Sequence, residues 1–225
     1  MLKFFLLFCC VSCQMLFAAP QKILIGIAGG SGSGKTTLAQ KIQEAFPGRS
    51  ILISQDSYYK DLSHLGFQDR IKVNFDHPDS VDFALLCKHL KDLKNDAAVD
   101  RPVYNFHTNT REKYMQKIHP APLIIVEGIL LFAIPEIRDL LDLKIFVEVE
   151  DDIRILRRIE RDILERSRDF TYVREQYLST VRPMHLSFVE PSKKFADIII
   201  PEGGFNRIAL KVILAKLQED LNNQK

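Results

Sequence analysis

Residues 29–36 read Gly-Gly-Ser-Gly-Ser-Gly-Lys-Thr and satisfy the spacing G-x-x-x-x-G-K-[ST] of a phosphate-binding loop. Few short patterns constrain a fold as tightly, because this one needs a strand before it and a helix after it. Both are present. Lys22 to Ala28 is a short β-branched apolar run, and Thr37 to Phe46 carries Leu38, Ile42, Ala45 and Phe46 at helical spacing. The physics requires that order. Glycines let backbone N–H groups turn inward around phosphate oxygens, and a helix N-terminus adds partial positive charge. Gly29, Gly30, Ser31, Gly32, Ser33, Gly34, Lys35, Thr36 and Thr37 are therefore the expected nucleotide-phosphate site. Lys35 is expected to reach the terminal phosphates and the Thr36 hydroxyl to ligate Mg²⁺. A flexible Gly/Ser turn is the plainer reading, but it does not account for the strand and helix on either side.

The rest of the chain suits one α/β domain. It has 225 residues, 46% hydrophobic and 27% charged, with a formal charge of +2. Near charge balance gives no support for nucleic-acid binding. Cys9, Cys10 and Cys13 lie in the first twenty residues, leaving Cys87 alone in the body, so no internal disulfide framework is expected there and the body reads as cytoplasmic. Residues 1–20 form an apolar, signal-like extension with a poor cleavage region around Phe17 to Ala19. The reading adopted is a misplaced start, with Met15 as the true one, or a dispensable extension. A membrane role rests on those residues alone and is disfavoured.

Further apolar strands are expected at Arg49 to Ser54, Pro122 to Val126, Leu143 to Val149 and Ala196 to Ile200. Helices are expected at Ser80 to Leu93, Asp151 to Glu165, Thr171 to Val181 and Asn206 to Leu221. Strands alternating with helices imply a parallel sheet flanked by helices, with its ligand at the carboxyl ends of the strands. Two embellishments interrupt that pattern. A β-hairpin is expected over about residues 99–119, and an arginine-bearing helical segment over about 154–176.

Asp56 follows the second strand directly, beside the expected γ-phosphate pocket, where a carboxylate can accept a proton from a substrate hydroxyl and help hold Mg²⁺. Glu127 ends the strand of residues 122–126, in position to support the same metal. Each has an ordinary alternative as a strand-end cap. Arg154, Arg157, Arg158 and Arg161 recur at three- and four-residue spacing, and Arg166 and Arg168 follow. They read either as a solvated face paired to Glu160, Asp162 and Glu165 or as a mobile basic lid that neutralises a transferring phosphoryl group. The lid is preferred, with Arg157 and Arg166 left as surface residues. Tyr58, Tyr59, Phe75, Tyr104 and Phe106 lie outside the apolar runs and are candidates to pack a planar ligand. The histidines are not at zinc-ligand spacing.

With these residues in view, the chain resembles the uridine kinase (uridine–cytidine kinase) family of P-loop kinases from about Ile23 to the final helix. The resemblance rests on the phosphate loop, Gln55 to Tyr59, Asn74 to Pro78, Pro102 to Tyr104, Glu127 to Leu131, Arg158 to Asp162, Val181 to Met184 and Ala196 to Pro201. It implies transfer of the γ-phosphoryl of ATP, or GTP, to the 5′-hydroxyl of uridine or cytidine with Mg²⁺. On it, Asp56, Lys35 and Arg161 are the catalytic set and Thr36, Glu127 and Asp56 attend the metal. Asp76 takes the ribose hydroxyls, Tyr59, Phe75 and Tyr104 surround the nucleoside, and Arg158, Arg168 and Gln176 complete the site. A homotetramer is implied as well. Two departures stand out. Asn109 occupies the place of the family's base-contacting histidine, with His107 two positions earlier, and Ser167 replaces a lid glycine. The nearest rivals are a phosphoribulokinase- or pantothenate kinase-like enzyme and, in a different class, a nucleotide-binding module without turnover. A guanine-reading Asn-Lys-x-Asp motif is absent from the sequence.

Overall fold

The computed structural model describes residues 21–223; the N-terminal extension expected over 1–20 lies outside the described residues. Five strands form one sheet in the order β2-β5-β1-β6-β7, all neighbours parallel. They are β1 (Ile23–Gly29), β2 (Ser50–Ser54), β5 (Leu123–Glu127), β6 (Leu143–Glu148) and β7 (Ile198–Pro201). β1 and β5 are buried at every position, as continuous apolar runs must be when helices cover both sheet faces. Alternation along β1 feeds two cores. Leu24 and Ala28 face one, with Leu86, Leu90 and Leu93 of the helix Phe83–Lys94. Ile23, Ile25 and Ile27 face the other, with Leu38 and Ile42 of α1 (Lys35–Ala45) and Ile213, Leu217 and Leu221 of the last helix, Arg207–Asn223. Cys87 packs half-buried against the first core, as a small apolar residue.

The hairpin, β3 (Val99–Asn105) and β4 (Thr110–Ile118), forms a separate antiparallel sheet. Its register shifts between Pro102 and Tyr104, next to the proline that has no N–H for the ladder. Arg111 fastens it to the body: Nε donates to the Tyr59 carbonyl at 2.7 Å and Nη2 to the Tyr58 carbonyl at 3.1 Å. The turn residue Asn109 adopts φ +53°, a left-handed conformation that asparagine tolerates better than most side chains.

The arginine-bearing segment begins as one helix, Asp151–Leu164, and turns through Ser167 at φ +54°, where glycine would be unstrained. The next helix, Phe170–Gln176, is capped by Asp169. The sequence suggests that it ends at Val181, but helical backbone continues to Phe195 through wide π-turns at Tyr177–Val181 and His185–Val189. Each π-turn ends two residues before a proline, Pro183 or Pro191. The wider turn removes the i−4 pairing that proline cannot make, so the helix survives both residues. No helix among the described residues is long and apolar enough to cross a membrane.

Candidate active site

The carboxyl ends of β1, β2 and β5 converge on the phosphate loop. Gly34 caps α1 at φ +87°, and Gly32 sits at φ +79°, where a Cβ would strike the Arg154 carbonyl. Ser33 N–H closes the loop on the Gly30 carbonyl at 3.1 Å, and Leu38 N–H bonds the Gly34 carbonyl at 3.0 Å. Lys35 and Thr36 then project from the first turn of α1, with Thr37 behind them. The Thr36 hydroxyl donates to Glu127 Oε2 at 3.1 Å, and the Ser54 hydroxyl to Glu127 Oε1 at 2.6 Å. Ser54 Oγ also accepts from the Asp56 backbone N–H at 3.3 Å, so one strand-end serine holds the Glu127 carboxylate and the Asp56 backbone. Gln55 turns inward between them and accepts from Leu130 N–H at 2.9 Å.

Electrostatics couples this cluster. Burial pushes the Glu127 carboxyl above its ordinary range, opposed by Lys35 and reinforced by Asp56. Burial likewise lowers Lys35, and Glu127 and Asp56 counter it. Among the described residues no three His, Cys, Asp or Glu side chains gather into a metal cluster. The Thr36 hydroxyl and the carboxylates of Glu127 and Asp56 are instead hard oxygen donors of the type Mg²⁺ accepts alongside water and phosphate oxygens. That donor set fits the ion.

A cavity opens from Ser31, Lys35 and Asp56 toward the hairpin. One wall is aromatic. Tyr59 lies 5.4 Å from Phe75 and 5.1 Å from Tyr104 between ring centroids, and Tyr104 lies 5.3 Å from Phe106. Asp76, buried at the same wall, is raised by burial, an effect that Arg158 opposes and Asp56 adds to. Asn109 and Ile129 complete that side. The opposite wall carries Arg158, Arg161, Arg166, Arg168 and Gln176. Arg158 bridges the two halves: Nη1 donates to Ser31 Oγ and Nη2 to Gln176 Oε1, both at 2.9 Å. Arg168 Nη1 reaches the same Gln176 oxygen at 3.2 Å. With these side chains in place about 50 Å³ remains open, less than a nucleoside needs.

The expected substrate and phosphate residues thus gather in one place, with several corrections. Arg154 does not share the arginine wall: its Nε donates to the Val149 carbonyl at 3.2 Å and its Nη2 pairs with His185 Nε2 at 3.0 Å, behind the phosphate loop. Arg157 turns toward Phe205 instead, 5.7 Å from its ring. Arg166, expected at the surface, lines the cavity. Tyr58 packs in the core with its hydroxyl 3.0 Å from His89 Nδ1, not in the cavity. Asn109 is buried in the cavity, whereas His107 is exposed outside it. Sequence spacing does not reveal Ser54, Ile129 or the burial of Asp162. Ser54, directly before Gln55-Asp56, was the one with a usable signal, a hydroxyl at a strand end.

Comparison with known proteins agrees with this geometry. Residues 24–209 match the model of the phosphoribulokinase/uridine kinase family. A uridine kinase from Clostridium novyi (strain NT) is 51% identical, covering 90% of this chain and 98% of that protein. A second, from Alkaliphilus metalliredigens (strain QYMF), is 50% identical over 87% and 95%. Among solved structures, a phosphoribulokinase from Rhodobacter spheroides superposes with a TM-score of 0.60 at 14% identity, over 81% of this chain and 70% of that one, a likeness of fold alone. On the family match and on relatives this similar over nearly their whole length, the chain belongs to the phosphoribulokinase/uridine kinase family.

Proposed function

We propose that this protein is a pyrimidine nucleoside kinase, transferring the γ-phosphoryl group of ATP to the 5′-hydroxyl of uridine and cytidine. One observation carries the reading: a single cavity holds Ser31 and Lys35 of the phosphate loop, the Asp56 carboxylate, and the aromatic wall with buried Asp76. Asp76 suits a ribose diol, because two hydroxyl donors can share one carboxylate. The rings of Tyr59, Phe75, Tyr104 and Phe106 suit a planar base, and Asn109 offers it both an acceptor and a donor.

Asp56 accepts the proton of the 5′-hydroxyl as its oxygen bonds to the γ-phosphorus and the bond from that phosphorus to the ADP oxygen breaks. Lys35 and the lid arginines Arg158, Arg161 and Arg168 stabilise charge spread over the transferring phosphoryl oxygens. Thr36, Glu127 and Asp56 would hold Mg²⁺, which shields the phosphate charge when bound. Because the arginine wall nearly fills the cavity, the helical segment of about 154–176 must open to admit substrate and then close to exclude water. The hairpin of about 99–119 carries the base side of the pocket. GTP is a second candidate donor. The near-balanced charge and the small pocket favour a small-molecule substrate over nucleic acid, and a cytoplasmic, homo-oligomeric (tetrameric) enzyme accords with the family.

An ATP-consumption assay on protein starting at Met15 tests the assignment, with uridine, cytidine, ribulose 5-phosphate and pantothenate as acceptors. Turnover is expected with the pyrimidine nucleosides only. Turnover with ribulose 5-phosphate or pantothenate reassigns the enzyme within its fold group, and nucleotide binding without any turnover makes it a binding module.

A further inference from the structure

Asp162 is fully buried at the centre of the arginine wall. Its Oδ1 accepts from Arg161 Nη2 at 2.7 Å and Nε at 2.9 Å, and lies 3.5 Å from Arg166 Nη1. Its Oδ2 lies 3.6 Å from both Arg158 Nε and Arg168 Nη1 and has no hydrogen-bond partner. The Arg168 N–H also bonds the Asp162 carbonyl at 3.1 Å, tying the turn after the helix back onto the hub. Four guanidiniums therefore converge on one carboxylate that hydrogen-bonds only one of them closely.

Four like charges at this separation repel one another unless an anion lies among them, and Asp162 is that anion here. A buried carboxylate left with an unfilled oxygen is itself expensive unless its neighbours stay charged and close. Both demands are met by the same contact. We infer that Asp162 is the positioning residue of the arginine lid, a stand-in anion that keeps Arg158, Arg161, Arg166 and Arg168 convergent before phosphate enters and yields Arg158 and Arg168 to the incoming phosphoryl oxygens. Arg161 stays on Asp162 through Nε and Nη2 as the pivot, leaving Nη1 to the phosphoryl oxygens. Asp162 itself touches no substrate; it acts through the arginines. This rests on the lid reading given above.

The two demands make opposite predictions for Asp162→Asn, which keeps the shape and removes the charge. Loss of convergence lowers kcat by about tenfold or more, the scale of misplacing groups that must meet a transition state. Loss of the competing anion strengthens binding of inorganic tripolyphosphate, measured as competitive inhibition against ATP, by about three- to tenfold, the Coulomb scale of one unit charge roughly 6 Å away. A merely structural residue would weaken both together. Equal or weaker tripolyphosphate inhibition, or unchanged kcat, overturns the inference. If Asp162→Asn does not fold, Asp162→Asn with Arg166→Gln removes a buried pair instead of one partner. That double variant is expected to turn over several-fold more slowly than Arg166→Gln alone, and equal rates overturn the inference. Should Arg161→Ala and Arg168→Ala leave kcat untouched, the lid reading itself fails. Should they lower kcat while Asp162→Asn does not, only the role of Asp162 fails.

Discussion

The guanidinium of Arg166 lies over the ring of Phe106, its central carbon 4.1 Å from the ring centroid. The contact joins the arginine segment to the hairpin across the mouth of the cavity, and Asp162 holds Arg166 from behind. A partly desolvated cation–π pair contributes about 0.5–2 kcal/mol. Closure of the proposed lid is thereby linked to the wall that would hold the base.

Phe106→Leu and Arg166→Gln should therefore each raise the nucleoside KM, and their effects should not add. A double-mutant cycle on kcat/KM is expected to give a coupling within that 0.5–2 kcal/mol range. Additive effects would mean that the two side chains act independently.

Asp56→Asn should retain ATP binding, measured by calorimetry, and lose phosphoryl transfer by about 10²–10⁴-fold, the scale of removing a positioned general base. Its anchor Ser54 offers a graded version. Ser54→Ala frees both Asp56 and Glu127 from one hydroxyl and should lower kcat by less. Near-normal turnover in Asp56→Asn would remove this residue from the mechanism.

Asp76→Asn should abolish most nucleoside affinity yet stabilise the fold at neutral pH. Burial raises the Asp76 carboxyl above its ordinary value of 3.8. Ionising it therefore costs the folded state, a cost absent below the unfolded pKa and fully present once pH exceeds the folded one. The Asn variant should melt above wild type at pH 7, and the gain should shrink as pH falls through the folded pKa and vanish below the ordinary carboxyl value. A pH-independent difference would place its origin elsewhere.

Asn109→Ala should impair nucleoside turnover while His107→Ala is nearly silent, because Asn109 is buried in the cavity and His107 is exposed outside it. An amide presents both a carbonyl and an NH₂ group, so uridine and cytidine should both be substrates. A preference for one pyrimidine on the order of 10⁴ would show that the amide is fixed in a single orientation.

Much of this architecture was legible in the chain because its strong signals are local. The phosphate loop dictates its own strand and helix, and strand ends place Asp56 and Glu127 beside it. What stayed hidden depends on rotation about a helix axis and on long-range pairing. Arg154 and Arg158 are four residues apart and share the buried face, yet Arg154 ends on His185 and the Ser31 carbonyl while Arg158 reaches the Ser31 hydroxyl and Gln176. Arg166 lies beyond the helix end, where spacing carries no directional information, and the turn at Ser167 decides where it points. Asp162 looked like one of three acidic partners, since nothing in its spacing shows that it alone is buried among four arginines. The helix expected to end at Val181 continues because a sequence pattern does not announce the π-turns that carry it past Pro183 and Pro191.

The cavity beside the phosphate loop should phosphorylate a pyrimidine nucleoside. Following label from γ-labelled ATP into products tests it most directly, with uridine, cytidine, ribulose 5-phosphate and pantothenate offered together in one reaction. The label is predicted to appear on the 5′-oxygen of UMP and CMP. Label on ribulose 5-phosphate or pantothenate, or released only as inorganic phosphate, would contradict it.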